Sequence, residues 1–300
     1  MPLHRTAVIV LNWNSFEHTR NCLESLGNVK GEGFDLILID NGSYDGSVQQ
    51  IKAAFPAITL IALDKNYGFA GGNNIGLNYA VDQGYTYILM LNNDVFVEPD
   101  FLSPLLDALD QNPAVGAVQP SIFNHPERAE VWNNGGTFSR LTGTSHSIKT
   151  FNPDQRLSDV EWITGCAFLV RAEVLQKTGL LNEQYFAYYE DVDLSFRITA
   201  AGYQLKVVPQ SRIYHIGGAS SRAAEKGSEG YLSPDVHFYN IRNHIWIIRK
   251  WLKWYERPIP ILIHLIYSLF LIGYFLVRLR WNKLLTVAKG FKDGFTLSGA

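Results

Sequence analysis

The sequence is poor in cysteine and in charge. Its 300 residues include two cysteines, Cys22 and Cys166, and neither belongs to a CxxC or CxxH pair. This spacing excludes a disulfide framework, a zinc knuckle and a redox pair, so we expect two reduced thiols in the core. Charged residues make up 18% of the chain and hydrophobic residues 47%, which is typical of a globular protein with a large core.

The sequence also lacks a recognisable signal peptide. Its first apolar run, residues 7–11, is shorter than the apolar core of such a peptide, and the polar residues Asn12 and Asn14 follow almost at once. We therefore expect a cytoplasmic protein.

Acidic residues become scarce toward the carboxyl end. Residues 241–300 hold ten Lys or Arg residues and two acidic ones, whereas residues 1–240 hold sixteen and twenty-six. The basic residues flank an uncharged stretch, Pro258–Val277, and tryptophans lie near it. This composition is typical of a membrane interface, so we expect an anionic membrane surface rather than nucleic acid as the partner of this region.

The uncharged stretch allows three interpretations. As a helix its twenty residues would measure about 30 Å, just enough to cross a bilayer. Lys and Arg on both sides favour neither orientation of a spanning helix, so we prefer a helix lying in the membrane plane. A core helix packed on its own domain is the remaining alternative.

Strand-like apolar runs alternate with amphipathic helical segments in the first hundred residues. The predicted strands are residues 7–11, 35–39, 58–63 and 87–91, and the predicted helices are 16–26, 47–55 and 73–81. The alternation is typical of βαβ units, so we predict an α/β fold with a mostly parallel central sheet flanked by helices. The glycine-rich segment 68–72 is predicted as a turn.

The rest of the chain is predicted in less detail. The expected features are loops and short strands over 120–158, a helix over 190–201, a strand over 204–208 and a mobile loop over 217–230. A helical unit begins near Ser233, which gives two parts, residues 1–232 and 233–300.

Two acidic motifs follow predicted strands, where parallel sheets bind their ligands. Asp40 opens the segment 40–43, whose pattern fits a turn before the next helix as well as a ligand site. Asp94 ends the tripeptide Asn92-Asn93-Asp94. Its carboxylate is suited to a hard divalent ion that also binds substrate phosphates, and a polar turn is the alternative.

A third acidic motif, Glu190-Asp191-Val192-Asp193, begins a predicted helix. Acids at this position stabilise a helix, but three in four residues exceed what capping requires. The aromatic run 185–189 before them would raise a carboxyl pKa and prepare a general base, or would simply form a core strand. His215 precedes two glycines and is interpreted as a metal or diphosphate contact or as a core histidine.

Taken in order, these motifs resemble those of the family 2 glycosyltransferases of the GT-A fold, particularly the branch of bacterial rhamnosyltransferases. The resemblance covers about residues 5–250. The matching segments are 8–14 (Val-Ile-Val-Leu-Asn-Trp-Asn), 40–43 (Asp-Asn-Gly-Ser), 66–74 (Asn-Tyr-Gly-Phe-Ala-Gly-Gly-Asn-Asn), 92–94 (Asn-Asn-Asp), 162–165 (Trp-Ile-Thr-Gly) and 189–194 (Tyr-Glu-Asp-Val-Asp-Leu).

The resemblance implies a role for individual residues. Asp40 would bind the donor's base, Asp94 and His215 would bind a metal at the diphosphate, and Asp191 would be the catalytic base. Further donor contacts would come from Asn12, Ser43, Asn66, Asn74 and Asn92. Contact with the acceptor or a supporting role would come from Glu190, Asp193, Trp162 and Gly165. Arg242 would support the diphosphate or pack the carboxyl-terminal region.

The implied activity is metal-dependent sugar transfer with inversion. A base opposite the metal-bound diphosphate directs a single displacement, with Mg²⁺ or Mn²⁺ as cofactor. The donor would be a nucleoside-diphosphate sugar, with rhamnose suggested by the branch. The acceptor would be a lipid-linked molecule or polysaccharide of cell-surface glycan synthesis, used at the inner face of the plasma membrane.

Three other functions are weighed against this one. Asn92 stands where the DXD motif has its first acid, which leaves a catalytically degenerate nucleotide-sugar-binding protein as an alternative. A nucleotidyltransferase is disfavoured because the first strand lacks a glycine-rich loop with Arg and Lys. A nicotinamide enzyme is disfavoured because the glycines of residues 66–76 follow the third strand and have the wrong spacing.

Overall fold

The first seven predicted elements are confirmed in order by a computed structural model, which describes residues 5–31, 33–217, 222–227 and 230–296. They are β1 (Thr6–Asn12), α1 (Phe16–Leu26), β2 (Asp35–Asp40), α2 (Ser47–Ala54), β3 (Thr59–Ala62), α3 (Gly68–Asp82) and β4 (Tyr87–Asn92). The predicted turn at 68–72 is wrong, because these residues form the first turns of α3. Glycine is a poor helix former, but here it permits close packing, as described below.

The middle of the chain contains more strand than predicted. Its elements are β5 (Val95–Val97), α4 (Leu102–Asp110), β6 (Val115–Asn124), β7 (Val131–Asn133), β8 (Gly136–Ser139), β9 (Thr144–Ser147), β10 (Ser158–Asp159), β11 (Ala167–Arg171), α5 (Ala172–Thr178), a 3-10 turn (Glu183–Tyr185), α6 (Glu190–Ala200) and β12 (Gln204–His215). Strand β12 thus continues well beyond the predicted end at residue 208 and carries His215 at its own end.

The carboxyl-terminal part is helical, as predicted. Its elements are β13 (Arg222–Gly227), β14 (Gly230–Leu232), α7 (Pro234–Trp251), α8 (Pro258–Val277) and α9 (Trp281–Thr296). Of the mobile loop predicted over 217–230, residues 218–221 and 228–229 lie outside the described residues, and the described part between them forms β13.

One large sheet organises the first 217 residues. Its strand order is β10-β12-β6-β11-β4-β1-β2-β3, with β5 paired to β12 and β7 to β6. The pairs among β1 to β4 and the pair β6-β12 are parallel, whereas β11 runs antiparallel between β4 and β6. The sheet is therefore parallel in its amino-terminal half and mixed beyond it.

The two faces of this sheet bury different residues of the same strands. Val8 and Val10 of β1 join a core cluster with α1 and α4, whereas Ala7 and Ile9 join a second cluster with α3. Successive side chains of a strand point to opposite faces, so a strand covered on both sides is apolar at every position. This accounts for the unbroken apolar run at the start of the chain.

The chain divides into two compact units. The first comprises residues up to 137, Ser147–Glu183 and Glu190 to the end of β12, and it contains the large sheet. The second comprises Phe138–His146, Gln184–Tyr189 and the described residues after 219. In the second unit α7, α8 and α9 share a core that includes Ile241, Ile245, Phe275 and Val287.

Helix α3 lies very close to β1 and β2. A Cβ at Gly76 would stand 2.7 Å from Cγ2 of Ile9 and 3.2 Å from Cγ1 of Ile39, and one at Gly72 would stand 2.7 Å from Cδ1 of Leu11. Atoms of these types do not approach so closely without displacement. The glycines therefore set the distance between α3 and the strands that end at Asn12 and Asp40.

We expect Gly76→Val to lower the free energy of unfolding by about 1–3 kcal/mol, the usual cost of overpacking a dense core. Urea denaturation followed by circular dichroism measures this change. Gly33→Val is the matched control, because a Cβ at Gly33 meets no atom of the described residues within 4 Å. Equal stability of the two variants would contradict the close-packing role of Gly76.

Candidate active site

Asn12 and Asp40 meet at the carboxyl edge of the sheet. They are paired positions of the parallel strands β1 and β2, and both are almost completely buried. Nδ2 of Asn12 donates to Oδ2 of Asp40 at 2.7 Å, while the Ser43 amide donates to Oδ1 of Asp40 at 2.9 Å. Oγ of Ser43 accepts hydrogen bonds from Asn12 and from the Asn14 amide. The structure thus brings together three of the residues predicted to bind the nucleotide-sugar donor.

A hydrogen-bonded chain that sequence analysis missed links this cluster to the metal motif. Oγ1 of Thr19 donates to Oδ1 of Asn12 at 2.7 Å and accepts from Nδ2 of Asn93 at 2.8 Å. Thr19 lies on α1 and is fully buried. The signal that could have identified Thr19 from the sequence is a polar residue on the apolar face of an amphipathic helix, which also carries Cys22, Leu23 and Leu26. Thr19 holds the ends of β1 and β4 in a fixed relation.

Two residues predicted to contact the nucleotide-sugar donor, Asn66 and Asn74, form hydrogen bonds within the protein instead. Oδ1 of Asn66 accepts from Nδ2 of Asn41 and from the Gly68 amide, at the start of α3. Asn74 donates to the Leu181 carbonyl and to Oε1 of Glu183, and it accepts from the Leu181 amide. These two side chains therefore shape loops in the present structure, and they are not part of the Asn12–Asp40 cluster.

Asp94 and His215 are brought together by the pairing of β5 with β12. His215 is the partner of Val95 in these antiparallel strands, and the Ile216 amide donates to the Asp94 carbonyl at 3.0 Å. Nε2 of His215 lies 3.1 Å from Oδ1 of Asp94. The ring of Trp132 stands edge-on to the His215 ring with centroids 4.1 Å apart. Asn92, the other predicted residue of this motif, is partly exposed at the end of β4.

Buried atoms at Asp94 and His215 remain available to a ligand. Nδ1 of His215 has no hydrogen-bond partner among the described residues, and Oδ1 of Asp94 has none there besides its contact with Nε2 of His215. Burial raises the pKa of Asp94. The proximity of His215, with a smaller effect of His18, lowers this pKa by a larger amount, so the pKa lies below its ordinary value. Asp94 is therefore an anion near neutral pH.

This pair fits a divalent ion as two of its ligands. Adjacent ligands of an octahedral ion with bonds of about 2.1 Å lie about 3 Å apart, which agrees with the 3.1 Å between the Asp94 and His215 atoms. No cluster of three His, Cys, Asp or Glu residues occurs in the described ranges. Magnesium-type sites often use one or two protein ligands with substrate phosphates and water in the other positions.

Asp191 is the second residue of α6. Its Oδ2 accepts from the Gly165 amide at 2.9 Å and its Oδ1 from the Val192 amide at 2.8 Å. Burial raises the pKa of Asp191, and these two amides oppose that rise only in part. A Cβ at Gly165 would lie 3.0 Å from the Phe69 ring, so any side chain there requires that ring to shift by a few tenths of an ångström. A carboxyl with a raised pKa is suited to accept a proton in a reaction.

Glu190 differs from Asp191 although the two are adjacent. Burial and the charge of Asp191 raise the pKa of Glu190 well above its ordinary value. Its Oε2 is buried and has no hydrogen-bond partner within the described part of the chain. A neutral Glu190 beside an ionisable Asp191 keeps only one negative charge at the start of α6.

Asp193 and Arg242 are held by partners in their own units, and so is Trp162. Oδ2 of Asp193 accepts from Nε of Arg197 at 2.9 Å, and Asp193 is fully buried. Nε1 of Trp162 donates to the Thr137 carbonyl at 3.1 Å. Nη2 of Arg242 donates to the carbonyls of two residues, Gln184 and Tyr185. Trp162 and Arg242 thus support the backbone through carbonyls, whereas Asp193 forms an ion pair within α6.

Asp191 and Asp193 should respond differently to the same substitution. We expect Asp193→Asn to lower the free energy of unfolding by about 3 kcal/mol or more, because it leaves the Arg197 charge unpaired. Asp191→Asn should stay within about 1 kcal/mol of wild type at pH 6, since one backbone hydrogen bond is lost. Urea titrations of both variants measure these changes.

The pH dependence gives the second half of this prediction. The pKa of Asp191 is higher in the folded than in the unfolded protein, so its ionisation destabilises the fold as pH rises from the unfolded value of about 3.9 through the raised pKa. Asp191→Asn lacks this loss and should gain stability relative to wild type over that window. A loss in Asp191→Asn as large as in Asp193→Asn would make Asp191 a structural residue.

The sequence is similar to known sugar-transferring enzymes. A family model described as "Glycosyl transferase family 2" matches residues 7–179. N-acetylglucosaminyl-diphospho-decaprenol L-rhamnosyltransferase of Mycobacterium tuberculosis is 27% identical over 231 residues, covering 69% of this chain and 75% of the relative. The dTDP-rhamnosyl transferase RfbF of Shigella flexneri is 22% identical over 248 residues, covering 81% and 79%.

The fold is similar to that of solved glycosyltransferases. GalNAc-T7, crystallised with UDP, GalNAc and Mn²⁺, has a TM-score of 0.65 at 13% identity. The match covers 98% of this chain, which spans 56% of that protein's length. Identity at this level shows the fold alone, and it confirms the predicted GT-A architecture. Since the family model covers more than half of the chain, the protein belongs to glycosyl transferase family 2, with similarity to its rhamnosyltransferases.

Proposed function

We propose that this protein transfers a sugar, with inversion, from a nucleoside-diphosphate donor to a lipid-linked or polysaccharide acceptor in cell-surface glycan synthesis. The observation that carries the proposal is the partly buried Asp191, whose two carboxyl oxygens accept from the amides of Gly165 and Val192 and whose pKa is raised. The proposed donor is dTDP-rhamnose, because the two relatives named above are rhamnosyltransferases by name and one name specifies dTDP.

The Asn12–Asp40 cluster is the proposed site of the donor base. Asp40 is fixed by Asn12 and by the Ser43 amide, so its carboxylate cannot turn freely. A rigid acceptor group at the end of a parallel strand can recognise an N–H group of a base at low entropic cost. Two further residues lie next to this cluster. The Asn14 amide donates to Oγ of Ser43, and the Tyr44 amide donates to Oδ1 of Asn14. The Tyr44 side chain is exposed and that of Asn14 is partly exposed.

Asp94 and His215 are proposed to hold a divalent metal at the donor diphosphate. When bound, the ion would supply positive charge to the departing diphosphate. The chain itself contributes an ionised Asp94, kept so by His215, and a buried setting that strengthens the attraction. Asn92 replaces one acid of the family motif, so the protein supplies less negative charge and the substrate phosphates supply more.

Asp191 is proposed to remove the proton from the acceptor hydroxyl. The amides of Gly165 and Val192 orient both carboxyl oxygens. A neutral Glu190 would lower the repulsion on an ionised Asp191, and Asp193 would anchor the helix through Arg197. Inversion follows if the hydroxyl attacks from the side opposite the diphosphate in one step, and no covalent nucleophile is needed.

Two substitutions should separate catalysis from donor binding. We expect Asp191→Asn to reduce kcat by about 10²–10⁴-fold, the usual contribution of a general base, while donor binding is retained. Asp94→Asn should instead abolish the increase in donor affinity that Mn²⁺ produces. Transfer is measured with dTDP-rhamnose and a lipid-linked acceptor, and binding by thermal shift with dTDP-, UDP- and GDP-sugars, with and without Mn²⁺.

Asp154→Asn is the matched control, because Asp154 is exposed in a loop and has the same substitution chemistry. Its turnover and its donor binding should equal those of wild type. Full turnover in Asp191→Asn would remove Asp191 from the role of base. Donor binding by a folded wild-type protein without transfer to any acceptor would favour the degenerate nucleotide-sugar-binding protein, to which Asn92 points.

We also propose that α8 attaches the protein to the inner face of the plasma membrane. The helix has the polarity opposite to that of a soluble surface helix. Its buried stripe includes His264 and Ser268, whereas Leu262, Ile266 and Phe270 are exposed. Only 22% of the most apolar 18-residue stretch of α8 is buried. A lipid-facing helix turns polar groups inward and apolar groups outward.

The surroundings of α8 favour an anionic lipid surface. Trp254 precedes the helix and Trp281 follows it, and both are exposed, as is typical of residues at the membrane interface. Lys253 and Arg278 are exposed near the two ends, and α8 itself contains no charged residue. Burial, together with the neighbouring His244, lowers the pKa of His264 to about 4, so this inner residue is neutral near pH 7.

The double substitution Ile266→Asp and Phe270→Asp should weaken vesicle binding by about tenfold or more, since each exposed apolar side chain contributes on the order of 1 kcal/mol when buried in lipid. Co-sedimentation with phosphatidylglycerol vesicles measures binding. Leu141→Asp is the control, because Leu141 is a similarly exposed apolar residue outside α8. Equal binding of wild type and the double variant would reject α8 as the attachment surface.

A further inference from the structure

The segment before the proposed base has an unusual backbone. Phe186, Tyr188 and Tyr189 have φ angles of 63°, 70° and 72°. Side-chain-bearing residues rarely adopt such left-handed angles, and for bulky residues each costs free energy. The Ala187 amide donates to the Tyr185 carbonyl at 2.8 Å, which closes a three-residue turn around Phe186. The segment 185–189 therefore needs stabilisation from elsewhere.

Asn243 of α7 provides a large part of that stabilisation. Its Nδ2 lies within hydrogen-bond distance of three carbonyl oxygens, at 3.0 Å from Tyr185, 2.8 Å from Ala187 and 2.8 Å from Tyr188. Asn243 is fully buried. One amide group thus contacts the strained segment on both sides of its turn.

Arg242 fixes the orientation of that amide. Nε of Arg242 donates to Oδ1 of Asn243 at 2.9 Å, so the amide cannot exchange its oxygen and nitrogen positions without losing this bond. Nη2 of Arg242 donates to the carbonyls of Gln184 and Tyr185 at 2.7 and 3.0 Å. The guanidinium also lies 4.2 Å from the centroid of the Trp246 ring. Such planar, multiple contacts are specific to arginine.

Aromatic rings of α7 hold the side chains of the same segment. The Phe186 ring stacks on Tyr239 with centroids 4.9 Å apart, and the Tyr189 ring stacks on His244 at 5.3 Å. The contacts therefore fix both the backbone and the side chains of the segment. Tyr189 is followed directly by Glu190, the first residue of α6.

From these contacts we infer that Arg242 and Asn243 are positioning residues for the catalytic base. They keep residues 185–189 in a strained conformation that sets the direction in which the chain enters α6, and Asp191 lies two residues beyond Tyr189. The inference rests on the proposed function of Asp191. A relaxed segment would leave the chain folded but would move the carboxyl away from its productive position.

The main test compares Asn243→Ser with Asn240→Ser. Asn240 lies one turn earlier on α7, and its Nδ2 donates only to the Val236 carbonyl of the same helix among the bonds described. We expect Asn243→Ser to lower kcat by about 10–100-fold, because a small displacement of a reacting group has an effect of this size. The KM for the donor and the donor affinity should not change, and Asn240→Ser should match wild type.

Arg242→Lys is the second variant, in case Asn243→Ser does not fold. Lysine keeps the charge but cannot donate to Oδ1 of Asn243 while contacting both carbonyls. It should also lower kcat without changing donor affinity. The acid limb of the pH profile of kcat should shift in both variants, because Asp191 would leave the amides that stabilise its charge.

Hydrogen–deuterium exchange provides a readout that does not require activity. Faster exchange at the amides of residues 185–192 in Asn243→Ser, but not in Asn240→Ser, would support the part of the inference in which Asn243 holds this segment, whether or not the protein transfers sugar. A failure of the proposed function is therefore distinguishable from a failure of the inference. Unchanged exchange would overturn it. Faster exchange with wild-type kcat and pH profile, in an active enzyme, would also overturn it, because the pair would then be structural only.

Discussion

The in-register parallel pairing of β4, β1 and β2 is the constraint on which the rest of the site depends. It sets Asn12 opposite Asp40 and Leu11 opposite Asn92. A shift of one residue would turn every side chain of β1 to the other face and separate Asn12 from Asp40. The apolar clusters on both faces and the close contact of Gly76 with Ile9 oppose such a shift. The core packing that fixes the strand register therefore also fixes the position of Asn12 relative to Asp40.

The carboxylates of the candidate site differ in pKa and pairing because their local partners differ. Asp94 is kept ionised by His215, Asp191 has a raised pKa that two backbone amides limit, and Asp193 is paired with Arg197. Each is an acid at or near an element end, yet only the local partners decide whether it suits a metal, a proton or a structural ion pair. This division lets three carboxylates of the candidate site differ in charge.

The sequence predicted the amino-terminal half of the fold well, because βα alternation and strand-end acids are local signals. Asp40 follows from such signals, whereas Asn12 and Ser43 were implied by the family resemblance. The proximity of Asp94 and His215 depends on the long-range pairing of β5 with β12 and could only be expected by resemblance. Thr19 was missed because one polar residue scarcely changes a helical pattern. The glycines of α3 were taken for a turn because propensity does not show what a helix packs against.

Helix α7 contacts both the strained segment 185–189 and helix α8, whose apolar side chains are exposed. Arg242 and Asn243 donate to the carbonyls of Gln184, Tyr185, Ala187 and Tyr188. Ile241 and Ile245 of the same helix belong to the core shared with α8 and α9. The His244 ring contacts both Tyr189 and His264. Consecutive buried residues Arg242, Asn243 and His244 would be assigned to a helix surface by hydrophobic periodicity. Their burial is possible because each polar group meets a backbone carbonyl or an aromatic ring, so the composition of α7 reflects two partners rather than one solvent-facing side.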